Sequence, residues 1–429
     1  MIWRMGNFLR QLKRRLFGAP VKMATKPTRV YLDYAAATPL NEAVSSAMKP
    51  YWNERFGNPS AIHQEGMVAR QAVEKARQTV ATLTAVRPEH VVFTGSGTES
   101  NNLAIRGYID TLAASGRVLS DMHIVTTRLE HPATLATVQT LEDCGVVVSY
   151  VPVTNEGIVK PAALQAVLTS QTVLVSVAHI NSEVGVIQST QALARTMRAF
   201  ATKNSTKRPL LHIDAAQSPW WQRCQLDRLG ADMLSLDVGK CGGPKGGGVL
   251  VFAEERWVKK GIFFGGGQEF GLRPSTENVP LIVGTAAALQ LAQEGVLERC
   301  KQIAVVRDRL WQKLQETVPF AVLNGPVGDS RVANNLHISL PGIDTEYAAV
   351  VLDAEGYAVS TKSACSSANS AASSVVMEMT NDIDRARTTL RITLGPETTF
   401  ADVAGLPAAL AMLVETMDTY VHSSAPKEG

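Results

Sequence analysis

Short runs of apolar and β-branched residues alternate with longer stretches of helical periodicity through the middle of the chain. The predicted helical stretches include 99–114 and 189–202. This rhythm of strand, helix and strand predicts an α/β body with a largely parallel sheet. Ligands of such sheets bind beyond the carboxyl ends of the strands. The predicted strands are Val91–Thr94, His123–Thr126, Val146–Val151, Val173–Ala178, Leu210–Ile213, Met233–Leu236 and Gly248–Phe252.

The last third of the chain has a different pattern. One long helix is predicted over 285–317. The elements predicted after this helix are shorter and mix strands with helices, which is typical of a smaller α+β domain. A chain of 429 residues is long enough for two or three domains. These shorter elements are strands at 336–339, 358–360 and 389–394, a helix at 345–355 and a closing helix.

The composition argues against several classes of protein. Hydrophobic residues make up 45% and charged residues 19% of the chain, which is enough apolar material for a large core and excludes wholesale disorder. No apolar run approaches the ~20 residues that a membrane-spanning helix needs. The five cysteines are widely spaced, so the sequence predicts neither a disulfide framework nor a metal site. The cysteine pattern is instead typical of a protein in a reducing compartment.

Residues 1–26 form a basic leader. Seven of the 42 basic residues lie there without any acidic residue, which leaves 35 basic against 39 acidic residues in the body. A mildly acidic body argues against nucleic-acid binding. The leader has three interpretations: a helix in which residues 1–20 touch an anionic membrane, a transit peptide, or a disordered extension before a body that begins near Met23. We expect the disordered extension.

Two motifs at the ends of predicted strands suit charged ligands. The run Gly95–Ser100 lies between a strand and a helix, where backbone N–H groups and hydroxyls can bind a phosphate. A plain glycine turn with a threonine cap would have the same sequence. Asp214 follows a buried strand, and its carboxylate can either pair with a cationic ring nitrogen or cap the next turn.

Three nucleophilic or basic side chains complete the candidates. Lys240 follows a predicted strand and opens a glycine-rich turn, a setting that suits a lysine that bonds to an aldehyde, although Lys245 competes for this role. His131 also follows a strand, and it can stack on an aromatic cofactor or act as a cap. Cys365 lies in a run of small polar residues that is typical of a mobile loop, where a thiol can react.

The order of these pieces resembles that of the cysteine desulfurases of the NifS/IscS kind, which are pyridoxal-phosphate enzymes of the class V aminotransferase family. The resemblance runs from Val30 to about Phe400 and is specific because many short motifs occur in the same order. These motifs are Tyr31–Ala36 with Thr38-Pro39, Phe56–Ser60 with His63, Gly97–Asn102, Glu130-His131, Asp214–Gln217, Gly243–Gly246, Gly265–Glu269 with Arg273 and Thr276, and the segment around Cys365.

The resemblance implies fold type I of the pyridoxal-phosphate-dependent transferases. A large cofactor-binding domain is expected over 41–285, and a small α+β domain is expected from 28–40 together with 286–425. The small domain would carry the loop with Cys365. A homodimer is also implied, because Thr276 is similar to the residue that reaches the phosphate bound by the partner subunit.

The resemblance also implies which residues hold the cofactor, pyridoxal 5′-phosphate. Lys240 occupies the Schiff-base position. Asp214 would keep the pyridine nitrogen protonated, so that the ring can act as an electron sink. Gln217 would bond to the phenolic oxygen of the ring, and His131 would stack on the ring.

The resemblance implies further residues that bind the phosphate of the cofactor and the substrate. Gly97 and Thr98 would bind the cofactor phosphate. Arg391 matches the residue that binds the substrate carboxylate, a task that suits the bidentate guanidinium. Asn58 matches a position near the substrate. Asn181 lies one residue before the place of a family asparagine that contacts cofactor and substrate.

The implied reaction takes sulfur from L-cysteine and releases L-alanine. Lys240 would move the α-proton, and the thiolate of Cys365 would attack the substrate sulfur and keep it as a persulfide. A long loop would let Cys365 carry the sulfur to an acceptor, either an iron–sulfur scaffold or a tRNA-thiolation protein. We expect this sulfur transferase in the cytoplasm, with an organelle as the alternative because of the basic leader.

The sequence departs from the family pattern around the cofactor. The Ser-Gly-His that usually precedes the lysine is Asp237-Val238-Gly239 here, which removes two phosphate ligands and adds a carboxylate. Like charges in a partly dry site repel, so cofactor affinity should fall unless Asp237 turns away or a cation intervenes. Other departures are Ser182 in place of the family asparagine, Lys362 in place of a glycine and Phe270 in place of an arginine.

Two other functions stay open at this point. The chain can be a weakly active or inactive relative that serves as a scaffold for sulfur-transfer partners. It can also catalyse another class V reaction, such as selenocysteine lysis or transamination. Cys365 argues against transamination, which needs no thiol. Because Lys240, Asp214, His131 and Arg391 are all present, the sequence favours an active desulfurase.

Overall fold

The computed structural model describes residues 29–253, 257–361 and 372–424, with the backbone alone for 417–424. The predicted leader and Cys365 lie outside the described residues. The strands are β1 (Val30–Tyr31), β2 (Val91–Thr94), β3 (His123–Thr126), β4 (Val147–Tyr150), β5 (Thr172–Ala178), β6 (Leu210–Asp214), β7 (Met233–Asp237), β8 (Gly248–Phe252), β9 (Val322–Leu323), β10 (Asn335–Ser339), β11 (Tyr357–Ala358) and β12 (Thr389–Thr393).

The α-helices connect these strands and cover the sheets. They are α1 (Glu42–Met48), α2 (Pro50–Asn53), α3 (Gln64–Thr84), α4 (Gly97–Ala114), α5 (Pro132–Asp143), α6 (Pro161–Val167), α7 (Thr190–Asn204), α8 (Leu226–Leu229), α9 (Val279–Gln293), α10 (Val296–Thr317), α11 (Thr345–Ala354), α12 (Ser374–Thr380), α13 (Ile383–Arg387), α14 (Phe400–Val403) and α15 (Leu406–Ser424). Short 3₁₀ turns lie at Pro88–His90, Leu119–Asp121, Val238–Lys240, Gln268–Gly271 and Gly328–Ser330.

A seven-stranded sheet lies at the centre of the described structure, in the order β2-β8-β7-β6-β5-β3-β4. β8 is antiparallel to both of its neighbours, and the other pairs are parallel. β2 therefore runs in the same direction as β7. The predicted α/β body is confirmed, and the seven predicted strands lie within one residue of the observed bounds.

Helices bury both faces of this sheet, and this is why its strands are continuous apolar runs. On one face, Val73 and Val80 of α3 pack in the same core as Ala288 of α9. On the other face, Leu103 of α4 and Leu141 of α5 belong to a second core. All of these side chains are almost fully buried. This packing on both faces holds the sheet in place, so the residues at the ends of its strands have fixed positions.

A further apolar core lies beside the main sheet and includes side chains of β10, β12, α10, α11 and α15. Its three strands form an antiparallel sheet in the order β12-β10-β9. The N-terminal strand β1 pairs in parallel with β11 in this part of the molecule. The chain then crosses to the main sheet, where the amide of Thr38 donates to the carbonyl of Gly239 at 3.1 Å. The residues between β1 and Thr38 therefore span the gap between the two sheets.

The prediction of one helix over 285–317 is wrong. The structure has two helices there, α9 and α10, which are bent by 68° at a short break. Gly295 lies in the break with φ 61°, a left-handed conformation that glycine adopts without steric penalty. Among the described residues, no single helix is long and apolar enough to cross a membrane, and this bent pair meets the criterion only when both helices are taken together.

A buried ion pair joins α3 to the turn Gln268–Gly271. The guanidinium of Arg77 donates to the two carboxylate oxygens of Glu269 at 2.6 and 3.0 Å, and also to the carbonyl of Val91 at 2.6 Å. The same carboxylate accepts the amide of Phe93 at 2.8 Å. Because both charges are buried, their attraction must offset a large loss of hydration.

We expect Glu269→Ala to lower the free energy of unfolding by about 3–5 kcal/mol, because the charge of Arg77 would stay buried without its partner. Urea denaturation measures this loss. The matched control is Glu65→Ala, which removes the exposed pair of Glu65 with His63 and should cost about 0–1 kcal/mol. A loss at Glu269 no larger than that at Glu65 would show that the buried pair does not stabilise the fold.

Candidate active site

A cavity of about 140 Å³ opens at the carboxyl edge of the main sheet. Its walls include residues that follow β2, β3, β5, β6 and β7, together with the N-terminal segment and β12. Parallel strands present their carboxyl ends on one edge, so side chains distant in sequence meet there. Most of the predicted site residues line this cavity, namely Gly97, Thr98, His131, Asn181, Asp214, Gln217, Lys240 and Arg391.

Asn58 and Thr276 do not line this cavity. Both are exposed. The side-chain oxygen of Asn58 accepts the amide of Ser60 at 2.9 Å, so this residue closes a local turn. The predicted roles of Asn58 near the substrate and of Thr276 at the phosphate of a partner subunit stay predictions, as does the role of Cys365.

Asp214 is the last residue of β6, and its carboxylate faces the cavity. One oxygen accepts the side-chain amide of Asn101 at 2.7 Å, and the other accepts the backbone amide of Ala216 at 3.0 Å. Burial raises the pKa of this carboxyl above its ordinary value. A cation placed against it would reverse that shift, so Asp214 is suited to pair with a protonated ring nitrogen. Asp214 also caps the following turn through the amide of Ala216, whereas its pairing with a ring nitrogen stays a prediction.

His131 is the N-terminal cap of α5, and its ring lines the same cavity. The ring nitrogen Nδ1 accepts the amide of Ala133 at 3.1 Å, so in the neutral ring the proton is on Nε2. Burial lowers the pKa of His131, which favours this neutral form. A neutral, flat ring at this place can lie against the face of an aromatic ligand without adding charge to the cavity.

Lys240 and Lys245 differ in where their amines lie. Lys240 ends the turn that directly follows β7 and lines the cavity, where its Nζ donates to the carbonyl of Ala36 at 2.5 Å. The Nζ of Lys245 donates to the carbonyl of Thr38 at 2.6 Å, and Lys245 does not line the cavity. Of the two lysines, Lys240 is thus the one that lines the cavity, and its bond to an aldehyde stays a prediction.

The N-terminal segment that covers the cavity is also held by Gln217. The side-chain amide of Gln217 donates to the carbonyl of Ala35 at 2.9 Å. An amide nitrogen carries two N–H groups, so a second donor is left for a ligand oxygen. The carbonyls of Ala35 and Ala36 thus fix two of the side chains that the sequence assigned to the cofactor.

Arg391 lies on β12 and reaches the cavity from the side of the small sheet. Its guanidinium donates to the carboxylate of Asp33 at 2.8 Å and to the carbonyl of Ser182 at 3.0 Å. The residue is 1% exposed, and within the described residues its Nε–H has no hydrogen-bond partner. A buried guanidinium with incompletely paired donors favours an additional anion, and a substrate carboxylate is such an anion.

Asn181 lines the cavity, but its side chain mainly shapes the backbone. Its oxygen accepts the amides of Glu183 and Val184, each at 2.9 Å, and its nitrogen donates to the carbonyl of Leu129 at 2.8 Å. These bonds hold the turn that brings Ser182 to the cavity wall. One N–H of Asn181 is left for a ligand, so its predicted contact with substrate stays a prediction.

The N-terminus of α4 forms the other end of the cavity. Gly97 is the first residue of this helix, and its amide donates to the carboxylate of Asp237 at 3.1 Å. The second carboxylate oxygen accepts the amide of Gly239 at 2.9 Å. Asp237 therefore does not turn away from the predicted phosphate position. Thr98 lines the cavity next to it and is exposed.

The residues at one end of the cavity fit the ring and the aldehyde of pyridoxal phosphate. They offer a buried carboxylate, a neutral flat imidazole and an amine, at Asp214, His131 and Lys240. The residues at the other end do not fit its phosphate as they stand, because the amide of Gly97 already binds the carboxylate of Asp237. The ring end is thus complete, and the phosphate end holds an anion of the protein itself.

Two residues with structural importance for the site were given no role in the sequence analysis. Glu130 is buried and binds the hydroxyl of Thr127 at 2.7 Å and the amide of Ala178 at 2.6 Å. Burial raises its pKa to about 8. Asp33 pairs with Arg391. The sequence signal for Glu130 was its position beside His131 after a strand, whereas nothing local in the sequence relates Asp33 to Arg391.

The chain is similar in sequence and in fold to known proteins. The family model described as Aminotransferase class-V matches residues 30–406. The cysteine desulfurase IscS of Dictyoglomus turgidum is 36% identical over 395 residues, which are 91% of this chain and 95% of that protein. A solved structure described as a NifS-like protein has a TM-score of 0.82 and 32% identity, and the match covers 91% of this chain and 100% of that one. A structure described as SspA in complex with cysteine has a TM-score of 0.71 and 29% identity, over 87% and 100% of the two chains.

The buried carboxyl of Glu130 should make stability depend on pH. Its pKa rises from an ordinary 4.5 to about 8 in the fold, so the folded state binds its proton more tightly than the unfolded state. The stabilisation is therefore complete below pH 4.5 and is lost as the pH rises through about 8. We expect Glu130→Gln to lose less stability than the natural protein between these pH values, as measured by urea denaturation. Glu156→Gln, at an exposed position, should keep the natural slope, and equal slopes in all three proteins would contradict the prediction.

Proposed function

The chain belongs to the class V aminotransferase family, and we propose that within it the chain acts as a cysteine desulfurase that converts L-cysteine to L-alanine and keeps the sulfur as a persulfide on Cys365. One observation carries this proposal. A single cavity brings together the amine of Lys240, the buried carboxylate of Asp214, the neutral ring of His131 and the guanidinium of Arg391.

Four side chains would hold the aldehyde cofactor of this family. Asp214 would bind the protonated pyridine nitrogen, and His131 would lie against the ring. Gln217 would donate to the phenolic oxygen with the N–H that Ala35 does not accept. Lys240 would bond to the aldehyde carbon. When bound, the cofactor supplies an electron sink for the pair released from the α C–H bond of the substrate.

The substrate would be oriented by Arg391. Its guanidinium is already fixed by Asp33 and Ser182, so little side-chain freedom is lost when it binds the carboxylate of L-cysteine. The Nζ of Lys240 is placed at the same cavity and would hold and move the α-proton. The thiolate of Cys365 would then bond to the substrate sulfur. The bond between that sulfur and Cβ breaks, and Cβ takes a proton as alanine leaves.

The chain on both sides of residues 362–371 lies close to this cavity. Before them, the backbone of Ser360 pairs with that of Arg391, at 2.6 and 3.1 Å. After them, the hydroxyl of Ser373 donates to the buried carboxylate of Glu183, which follows Ser182 in the cavity wall. Cys365 follows Thr361 by four residues, and four residues can span at most about 14 Å. Cys365 therefore cannot lie farther than this from Thr361, which supports the proposal that it receives sulfur at this cavity.

We also propose that the chain acts as a homodimer and passes its sulfur to an acceptor protein, either an iron–sulfur scaffold or a protein of tRNA thiolation. Large apolar side chains are exposed near Asn58 and in the segment before Thr276, and exposed apolar groups are typical of protein interfaces. They include Trp52, Phe56, Ile62, Met67 and Phe264. A cytoplasmic location is supported by the free thiols among the described residues, at Cys144, Cys224, Cys241 and Cys300.

Lys240→Arg should lower alanine formation from L-cysteine by more than about a thousandfold, because a guanidinium keeps the charge but cannot bond to an aldehyde or exchange the α-proton. Alanine release is measured with the cofactor in excess. Lys245→Arg is the matched control and should keep most of the activity, because this amine binds the carbonyl of Thr38 outside the cavity. Comparable activity in both variants would remove Lys240 from the reaction.

Cys365→Ser should bind the cofactor normally but form no persulfide, because a hydroxyl cannot accept the sulfur. Mass spectrometry after addition of L-cysteine detects one extra sulfur atom on the natural protein. The matched control is Cys144→Ser, since Cys144 is an exposed free thiol that should not carry the persulfide. If the extra sulfur persisted in Cys365→Ser and disappeared in Cys144→Ser, the acceptor thiol would have to be reassigned.

A further inference from the structure

Asp237 ends β7, and its carboxylate is bound by two backbone amides. Oδ2 accepts the amide of Gly97 at 3.1 Å, and Oδ1 accepts the amide of Gly239 at 2.9 Å. The first of these amides begins α4, which is 18 residues long. The carboxylate therefore lies at the positive end of a long helix, beside the turn that carries Lys240.

A helix N-terminus attracts anions because its first N–H groups have no acceptor within the helix and the helix dipole is positive there. In α4, the hydroxyl of Ser96 already accepts the amide of Glu99 at 3.1 Å. Asp237 binds the amide of Gly97 and adds a full negative charge. The amide of Gly97 is one of the groups that the sequence predicted to bind the cofactor phosphate, together with Thr98.

The side chain of Asp237 lies close against Gly97. A Cβ built on Gly97 would lie 3.0 Å from the Cβ of Asp237 and 3.2 Å from its Oδ2. Asp237 is therefore packed tightly against the first residue of α4. A phosphate and this carboxylate cannot both bind the amide of Gly97.

The charges around the cavity also oppose a further anion at this end. Asp214 and Asp237 both line the cavity. Burial raises the pKa of Asp214, and the negative charge of Asp237 adds to that shift. Among the residues that the structure describes, the positive groups that line the same cavity are Lys240 and Arg391, and Arg391 is paired with Asp33. A phosphate would bring up to two more negative charges next to the two carboxylates.

We propose that Asp237 is an anion built into the site, which occupies the phosphate position at the start of α4, so that this chain binds the pyridoxal core with little contribution from the cofactor phosphate. The proposal rests on the proposed function in one respect, namely that Lys240 bonds to the aldehyde. It makes Asp237 the residue that determines how strongly the site prefers pyridoxal phosphate to unphosphorylated pyridoxal.

The test compares the Kd of pyridoxal with the Kd of pyridoxal phosphate for the full-length protein freed of cofactor. The visible absorbance of the lysine-bound aldehyde reports binding, without any measurement of turnover. We expect the natural protein to bind the two compounds within about threefold of each other. Asp237→Ser should increase the preference for pyridoxal phosphate at least about tenfold, which corresponds to about 1.4 kcal/mol. Asp237→Asn, which keeps the size of the side chain, should shift the preference in the same direction.

Asp329→Ser is the matched control, because it removes an exposed carboxylate that does not line the cavity and should leave the ratio of the two Kd values unchanged. Thermal unfolding shows whether each variant is folded. A natural protein that prefers pyridoxal phosphate by tenfold or more, with the same preference after Asp237→Ser and Asp237→Asn, would overturn the proposal.

Inorganic phosphate provides a measurement that does not depend on Lys240. We expect phosphate to raise the unfolding temperature of Asp237→Ser but not of the natural protein, at constant ionic strength. Equal stabilisation of both, or of neither, would overturn the proposal. Failure of the proposed function has a different signature: neither aldehyde would bond to Lys240 in any variant, whereas the phosphate measurement would still decide the role of Asp237.

Discussion

Parallel pairing of β3, β5, β6 and β7 is the constraint on which the site depends. The register aligns Ala178 at the end of β5 with Asp214 at the end of β6, and it aligns Asp214 with Ser235 near the end of β7. The residues that follow these strands therefore face one volume, although they are far apart in the sequence. Because β8 is antiparallel to both β2 and β7, these two strands run in the same direction. The N-terminus of α4, which follows β2, therefore lies at the same cavity.

The cavity is lined by side chains of both charges as well as by apolar groups. Asp214 and Asp237 face it as carboxylates, and Lys240 and Arg391 face it as cations. Each of the four is fixed by hydrogen bonds to the surrounding protein, so their positions are set before any ligand arrives. Preorganised charges of this kind act strongly on a ligand because the protein does not have to rearrange around it.

Much of the fold was predictable because buried parallel strands are local apolar runs, and their ends are marked by polar or glycine residues. The same logic placed Asp214, His131 and Lys240 at strand ends. The prediction of one helix over 285–317 failed because the helical pattern continues on both sides of Gly295. The break depends on a single left-handed residue, and periodicity averaged over many residues does not detect it.

The sequence by itself determined the family and the parallel sheet, and it singled out the side chains that we propose for the chemistry, because these depend on residue types and on local order. Only the tertiary structure decided that Lys240 rather than Lys245 faces the cavity, that Asp33 pairs with Arg391, and that Asp237 binds the start of α4. Each of these outcomes depends on a backbone or side-chain partner from a distant segment. Such partners are brought together only by strand pairing and packing, which no local pattern records.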